Sequence, residues 1–320
     1  MDFIINVPNY HSTIELPVLL GKSRGGSGSL PVAIFILFVY SFWMKRFTPI
    51  YSLIVMTLWA CGQSRVLPEA IPSQSFAIQP GQRVFIELNS GELNIHGTTD
   101  DRLLISGELA SPSHTNYQVD STADEIRIVA DYSKPLLSSS TDPPVRLEVQ
   151  IPADAHLRIE TFDAEIALHE VRGTVEVDSS AGDILAEKLN GDISLRSGRG
   201  NIRAAGCSGT VRVIGEYGIL VMEDVQGDVG SSTIMGTIRF LGGIDSDDRV
   251  NLETDHGPVE IDLAPSSNLV LSINTTGGDL TCSFPGLRVT PRSCQGQVGN
   301  GKGSLSVRTV SGKVNFQPMP

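Results

Sequence analysis

One spacing limits what this chain can fold into more than any other feature. Glycines stand at Gly173, Gly191, Gly209 and Gly227, eighteen residues apart, and a second series, Gly182, Gly200, Gly218 and Gly236, keeps the same interval. Ala164 lies one period before the second series. Self-similarity at a fixed period marks a stacked architecture, in which each unit completes its core with its neighbours. The units also read alike between the glycines. Val175/Val177, Ile193/Leu195 and Val211/Val213 alternate as strands, and Ile184/Ala186, Ile202/Ala204 and Leu220/Met222 alternate again after the second-series glycine. Another apolar position follows at Leu189, Cys207 and Val225.

A unit of strand, turn, strand, turn cannot stand alone. Its few apolar side chains contribute about 1.5–3 kcal/mol each if fully buried, whereas ordering its backbone costs about 1–2 kcal/mol per residue. The balance improves only when units stack and each strand pairs above and below. The expected fold is therefore all-β: a single β-solenoid with two-strand rungs of about eighteen residues, regular over 156–317 and irregular over 76–155. In the irregular part, Val84–Ile95 repeats the strand–glycine–strand pattern once, and Leu103–Leu109, Glu125–Tyr132 and Val145–Ile151 alternate as strands. A left-handed hexapeptide helix is disfavoured, because the residue six beyond Val177 is Asp183.

Hydroxyls follow the same period. Thr161, Ser179, Ser197 and Thr233 precede the second series by three residues, with Gly215 in one place, and Thr254, Thr275 and Thr309 precede Gly257, Gly278 and Gly312 in the same way. Coincident hydroxyls predict a ladder at one corner, each bonded to its neighbour or to the turn backbone. A catalytic serine would be one residue beside a base, not a column.

The amino terminus reads as an address. Two apolar runs, Leu30–Trp43 and Pro49–Ala60, flank Lys45 and Arg46, and each is shorter than the ~20 residues of a spanning helix. With a start at Met44, Met44-Lys45-Arg46 is a basic n-region, Ile50–Thr57 an apolar h-region, and Leu58-Trp59-Ala60-Cys61 a cleavage site. That tetrapeptide resembles the bacterial lipobox, departing from it at Trp59, and the resemblance implies that the Cys61 thiol receives a diacylglycerol. Two acyl chains suit stable anchoring, since one binds membranes only marginally. The organisation expected is an upstream extension (1–43), a lipoprotein signal peptide (44–60), a polar tether (61–75) with Pro68 and Pro72, and the β-domain. A transmembrane hairpin over Leu30–Ala60, with Cys61 a bystander, is the competing reading.

Charge narrows the partners. The chain carries −12, and residues 1–60 carry +2, so the body is acidic and unsuited to nucleic acid. Aromatics make up only 6% of the chain, so the outer faces offer no aromatic platform.

The repeated Ser/Thr-x-x-Gly-x-Ile/Val units, the Ile151-Pro152 strand end ahead of them and the closing Val307-Arg-Thr-Val-Ser-Gly-Lys-Val-Asn-Phe316 resemble the bacterial adhesin-like domains of unknown function, akin to the auto-transporter adhesin head-like group. The similarity covers about Phe76–Phe316. It implies an extracytoplasmic β-solenoid in the cell envelope, with no established ligand, cofactor or catalytic residue to carry over.

Candidate chemistry is sparse. His96, His114, His156, His169 and His256 form no HxH or HExxH motif, and His256 reads as a solvated turn residue. Asp245, Asp247 and Asp248 form an acidic loop without the EF-hand glycine and distal glutamate. Cys207 reads as a buried thiol in the column of Leu189 and Val225. Cys282 and Cys294, twelve apart, flank a long loop that a disulfide could close in an oxidising compartment, although Cys282 also fits a core position. Gly299–Gly303 precedes no helix and reads as a turn. The expected function is a membrane-anchored module binding a surface glycan or protein, or serving structurally, without catalysis, metal or cofactor. A carbohydrate-active β-helix enzyme and an envelope stress sensor are the alternatives.

Overall fold

The computed structural model describes residues 68–79, 81–134 and 143–319. The extension, the signal segment and Cys61 lie outside the described residues. Alternation of apolar and polar side chains gives strands almost throughout. First come β1 (Glu69–Ala77), β2 (Arg83–Thr98), β3 (Arg102–Leu109), β4 (Thr115–Ser121), β5 (Glu125–Tyr132) and β6 (Val145–Pro152). The repeat region contributes β7 (His156–His169), β8 (Val175–Ser179), β9 (Ile184–Glu187), β10 (Asn190–Ser197), β11 (Ile202–Ala205), β12 (Ser208–Gly215), β13 (Ile219–Glu223), β14 (Gln226–Thr233), β15 (Thr237–Gly242), β16 (Arg249–Thr254) and β17 (Val259–Leu263). The remainder is β18 (Leu269–Thr275), β19 (Leu280–Cys282), β20 (Arg288–Thr290), β21 (Ser293–Val298), β22 (Gly303–Thr309) and β23 (Val314–Pro318). Among the described residues the one helical element is a 3-10 turn at Pro112–His114, and no helix is long and apolar enough to cross a membrane.

All the strands belong to one sheet that bends round until it is nearly closed. Hydrogen bonds trace two ladders within it. In the first, β7, β8, β10, β12, β14 and β16 follow one another in parallel, and in the second β7, β9, β11, β13, β15 and β17 do the same. The sequence period appears as register: Val177 pairs with Leu195 and Leu195 with Val213, while Ile184 pairs with Ile202 and Ile202 with Leu220. These side chains point inward and are buried, as are Leu189, Cys207 and Val225.

In the second series, Gly182, Gly200 and Gly236 answer to space rather than to backbone angle, while Gly218 also takes φ 98°. A Cβ on Gly182 would run into the carbonyl of Ala164, and one on Gly200 into the carbonyl of Gly182. A further corner, invisible in the glycine pattern, lies between the ladders. Glu170, Lys188 and Asp224 take left-handed backbone angles (φ 59°, 55° and 51°), and Gly206 takes φ 60° at the same point of its unit. The amides of Glu170, Lys188, Gly206 and Asp224 donate to the carbonyls of Glu187, Ala205, Glu223 and Leu241, one layer on.

One expectation needs correction, and two features of strand order lie outside the repeat pattern. The polar tether does not extend to residue 75: from Glu69 the chain forms β1, antiparallel to β3, with a register shift between Ile71 and Gln74. Pro72, taken as a linker signal, is accommodated at that irregularity on an edge strand, where a missing amide proton costs little. The units also do not stack in chain order. After β17 comes β22–β23, with β22 parallel to both β16 and β18 and β23 parallel to both β17 and β19. Finally, the first ladder turns antiparallel at both ends and the second at one, its other end being β19, parallel to β23. β4 pairs with β5 and β1–β3–β6 continue the other ladder at one end, while β18–β21–β20 close the other.

Candidate binding groove

The outer face of the second ladder carries a shallow groove of about 540 Å³. It arises because in-register parallel strands set equivalent side chains one above another. One column holds Glu92, Glu165, Asp183, Asn201 and Ile219; the next holds Asn94, Ala167, Leu185, Arg203, Val221 and Arg239. The groove thus crosses six layers, roughly 24 Å at a strand spacing of about 4.8 Å. Its floor mixes the short apolar side chains of Ala167, Leu185 and Val221 with charged ends.

Most of the charges are already committed. Glu92 accepts from Arg146 Nε at 2.9 Å, Arg203 pairs with Glu223 at 2.6 Å, and Arg239 pairs with Glu260 at 2.6 Å. Asp183 accepts the backbone amide of Asn201 at 2.7 Å, and the side-chain oxygen of Asn201 accepts that of Ile219 at 2.9 Å. The two therefore tie successive turns together. The carboxylates of Glu92, Glu165 and Asp183 lie along one wall, not on opposite sides of a cleft where a scissile bond would sit.

The hydroxyl corner serves the backbone. Ser179, Ser197, Thr233 and Thr275 accept the amide protons of Gly182, Gly200, Gly236 and Gly278 at 2.9–3.0 Å. Ser197 also donates to the carbonyl of Gly182 in the layer below, at 3.1 Å. The hydroxyls of Thr161, Thr254 and Thr309 have no partner.

Other candidate residues scatter. Asp248 is buried and accepts from the amides of Gly227 and Asp245, both at 2.7 Å, so it caps its own loop. His256 is exposed and lies 2.6 Å from the Ser311 hydroxyl. Burial pushes the Cys207 thiol up, which leaves it unreactive at neutral pH. Cys282 on β19 and Cys294 on β21 stand side by side as a disulfide pair, with Cα atoms 6.5 Å apart. Among the described residues no three His, Cys, Asp or Glu side chains are placed to hold a metal ion.

Sequence reasoning missed one pairing. His96 and His169 stack with ring centroids 4.9 Å apart, and His169 Nδ1 lies 3.2 Å from Glu187. The signal existed, since aligning Gly91 with Ala164 puts these histidines in register. The groove itself had no local motif, because its residues come from six different layers.

No family model matches the chain, and no curated protein matches it. Solved structures share broad similarity. A candidate adhesin from Bacteroides fragilis is 13% identical over 78% of this chain and 97% of its own, with a TM-score of 0.47. A candidate lipid-binding protein from Parabacteroides distasonis is 11% identical over 80% and 98%, with a TM-score of 0.35. A candidate cell adhesion protein from Clostridium sporogenes is 14% identical over 78% and 99%, with a TM-score of 0.25. At these scores the likeness carries no argument, and the fold rests on the strand register of this chain.

Proposed function

We propose that this chain is a lipid-anchored β-solenoid of the bacterial cell envelope, with two-strand rungs of about eighteen residues, acting as an adhesin-like binding or structural module without catalysis. The observation that carries this reading is the groove, where side chains of six layers line up in an extended track rather than converging on one point. Such a track suits a linear ligand, a surface glycan strand or an extended protein segment, held by many modest contacts. The anchor is Cys61, and an oxidising compartment agrees with the pairing of Cys282 and Cys294.

Metabolic palmitate labelling tests the anchor. The wild type incorporates label and fractionates with membranes, whereas Cys61→Ala loses both; equal labelling of the two sinks the anchored reading. A glycan array probed with residues 62–320 tests the groove, with Leu185→Arg expected to abolish any binding seen.

The groove carboxylates give the enzyme reading its one foothold. Release of new chain ends from a polysaccharide by the wild type, lost in Glu165→Gln, would replace the binding reading with a hydrolase or lyase.

A further inference from the structure

His96 on β2 and His169 on β7 are paired in register on parallel strands. Their rings stack with centroids 4.9 Å apart and planes 14° from parallel. Each strand is held on its other edge as well. Gln150 on β6 faces His96, and Glu187 on β9 faces His169. The preceding residues, Ile95 and Leu168, point the opposite way and are fully buried, so the core fixes both strands. The two imidazoles thus share the outer face that carries the groove, one column beyond Asn94 and Ala167.

Glu187 decides which nitrogen of His169 is free. Its carboxylate lies 3.2 Å from His169 Nδ1 and, when ionised, can only accept. Nδ1 therefore carries the proton, and Nε2 of the neutral ring keeps its lone pair. A carboxylate behind an imidazole is the arrangement that orients histidine ligands at metal centres and raises their basicity. Metal–nitrogen bonds of about 2.0–2.1 Å require the two ligating nitrogens to lie no more than about 4.2 Å apart. His96 is exposed, so its ring can tilt toward His169 to meet that limit. Imidazole suits zinc, copper and nickel, whereas calcium and magnesium take oxygen. Glu187 beside the rings and the net charge of −12 favour a cation.

We propose that His96 and His169 form a two-imidazole site for a divalent transition metal ion, with Glu187 as the positioning carboxylate behind His169 and water completing the coordination shell. Glu187 is committed to Nδ1 and is not a third ligand, in keeping with the lack of any three-ligand cluster among the described residues. The site stands on two rigid strands, so little order is lost when the ion binds. It does not depend on what the groove itself holds.

Copper(II) is the probe, as the tightest binder of the divalent series. It is titrated into the full chain by calorimetry, and the bound ion is read by electron paramagnetic resonance. The wild type should bind copper with two imidazole nitrogens in the spectrum. His96→Phe keeps an aromatic ring in the stack but removes a ligand, so it separates coordination from packing. It should lose one nitrogen and most of the affinity while melting as the wild type does without metal. Glu187→Gln should keep both nitrogens and weaken binding about 10–100-fold. His114→Gln, at a histidine elsewhere on the surface, should bind as the wild type does. Superimposable titrations of the wild type and His96→Phe overturn the proposal, as does a wild-type spectrum with fewer than two imidazole nitrogens. Unchanged affinity in Glu187→Gln overturns the positioning role. If His96→Phe fails to fold, the wild-type spectrum decides alone.

Discussion

Gly200 and Gly206 lie close in sequence and are required for different reasons. Gly200 has an ordinary backbone angle, but a Cβ there would overlap the carbonyl of Gly182 in the layer below. Gly206 has φ 60° and open surroundings, its nearest contact being Lys188 Cγ at 3.8 Å. Gly200→Ala should therefore cost at least about 3 kcal/mol through forced separation of layers, and Gly206→Ala only about 1 kcal/mol of left-handed strain. Urea denaturation of the two variants measures the difference; equal costs would refute the distinction. The sequence marks both as glycines but shows the periodic need only for the first, because Glu170, Lys188 and Asp224 fill the left-handed corner without a glycine. Tyr117 gives a second case at this scale. Its hydroxyl is buried without a partner, and burial raises its pKa from 10.0 to about 12. Folding thus favours the neutral phenol. That contribution is whole below pH 10 and is lost as pH rises through about 12. Tyr117→Phe should raise stability at neutral pH by about 1 kcal/mol and flatten the alkaline decline, both readable from denaturation midpoints across pH.

Among elements, the hydroxyl corner shows how far a pattern reaches. The column of Ser and Thr three residues before each glycine is plain in the sequence, and its bonding to the turn backbone follows from the chemistry of those residues. Which hydroxyls bond is not plain, because that depends on how each turn meets the one beneath. Ser197 accepts from Gly200 and donates to Gly182, so Ser197→Ala strands a buried amide proton and should cost about 1–3 kcal/mol. The Thr254 hydroxyl has no partner, so Thr254→Val should change stability little. Thermal melts that rank the two variants in the opposite order would refute this account. Strand existence was legible for the same local reason: Glu125–Tyr132 alternates and becomes β5 with those limits. β1 was not, because a polar edge strand with a proline carries almost no inward apolar residues.

At the scale of the folded unit, the register was readable and the order of layers was not. A period fixes which residues can align, and it aligned Val175 with Ile193 and Ile193 with Val211. It says nothing about which aligned units become neighbours, since every unit offers similar edges. The long segment between β19 and β22 is what lets the chain return to an interior place. β22–β23 should therefore be indispensable. Its four fully buried side chains are worth about 1.5–3 kcal/mol each, comparable to the whole stability of a domain. Ending the chain at Lys302 should abolish cooperative unfolding by circular dichroism, whereas removing residues 68–77 should shift the midpoint only modestly. A cooperative transition in the shorter chain would show that the interior layer is dispensable.

Antiparallel strands cover both ends of the first ladder and one end of the second, and this bears on how such a chain can lengthen over evolutionary time. A two-strand unit added beyond the ends would find a parallel neighbour for one strand at β19 and none for the other. One duplicated between β8 and β15 would meet identical neighbours on both sides and leave the ends untouched. Growth in this architecture comes from the middle, as a copied stretch of eighteen residues, and each copy would extend the groove by one step.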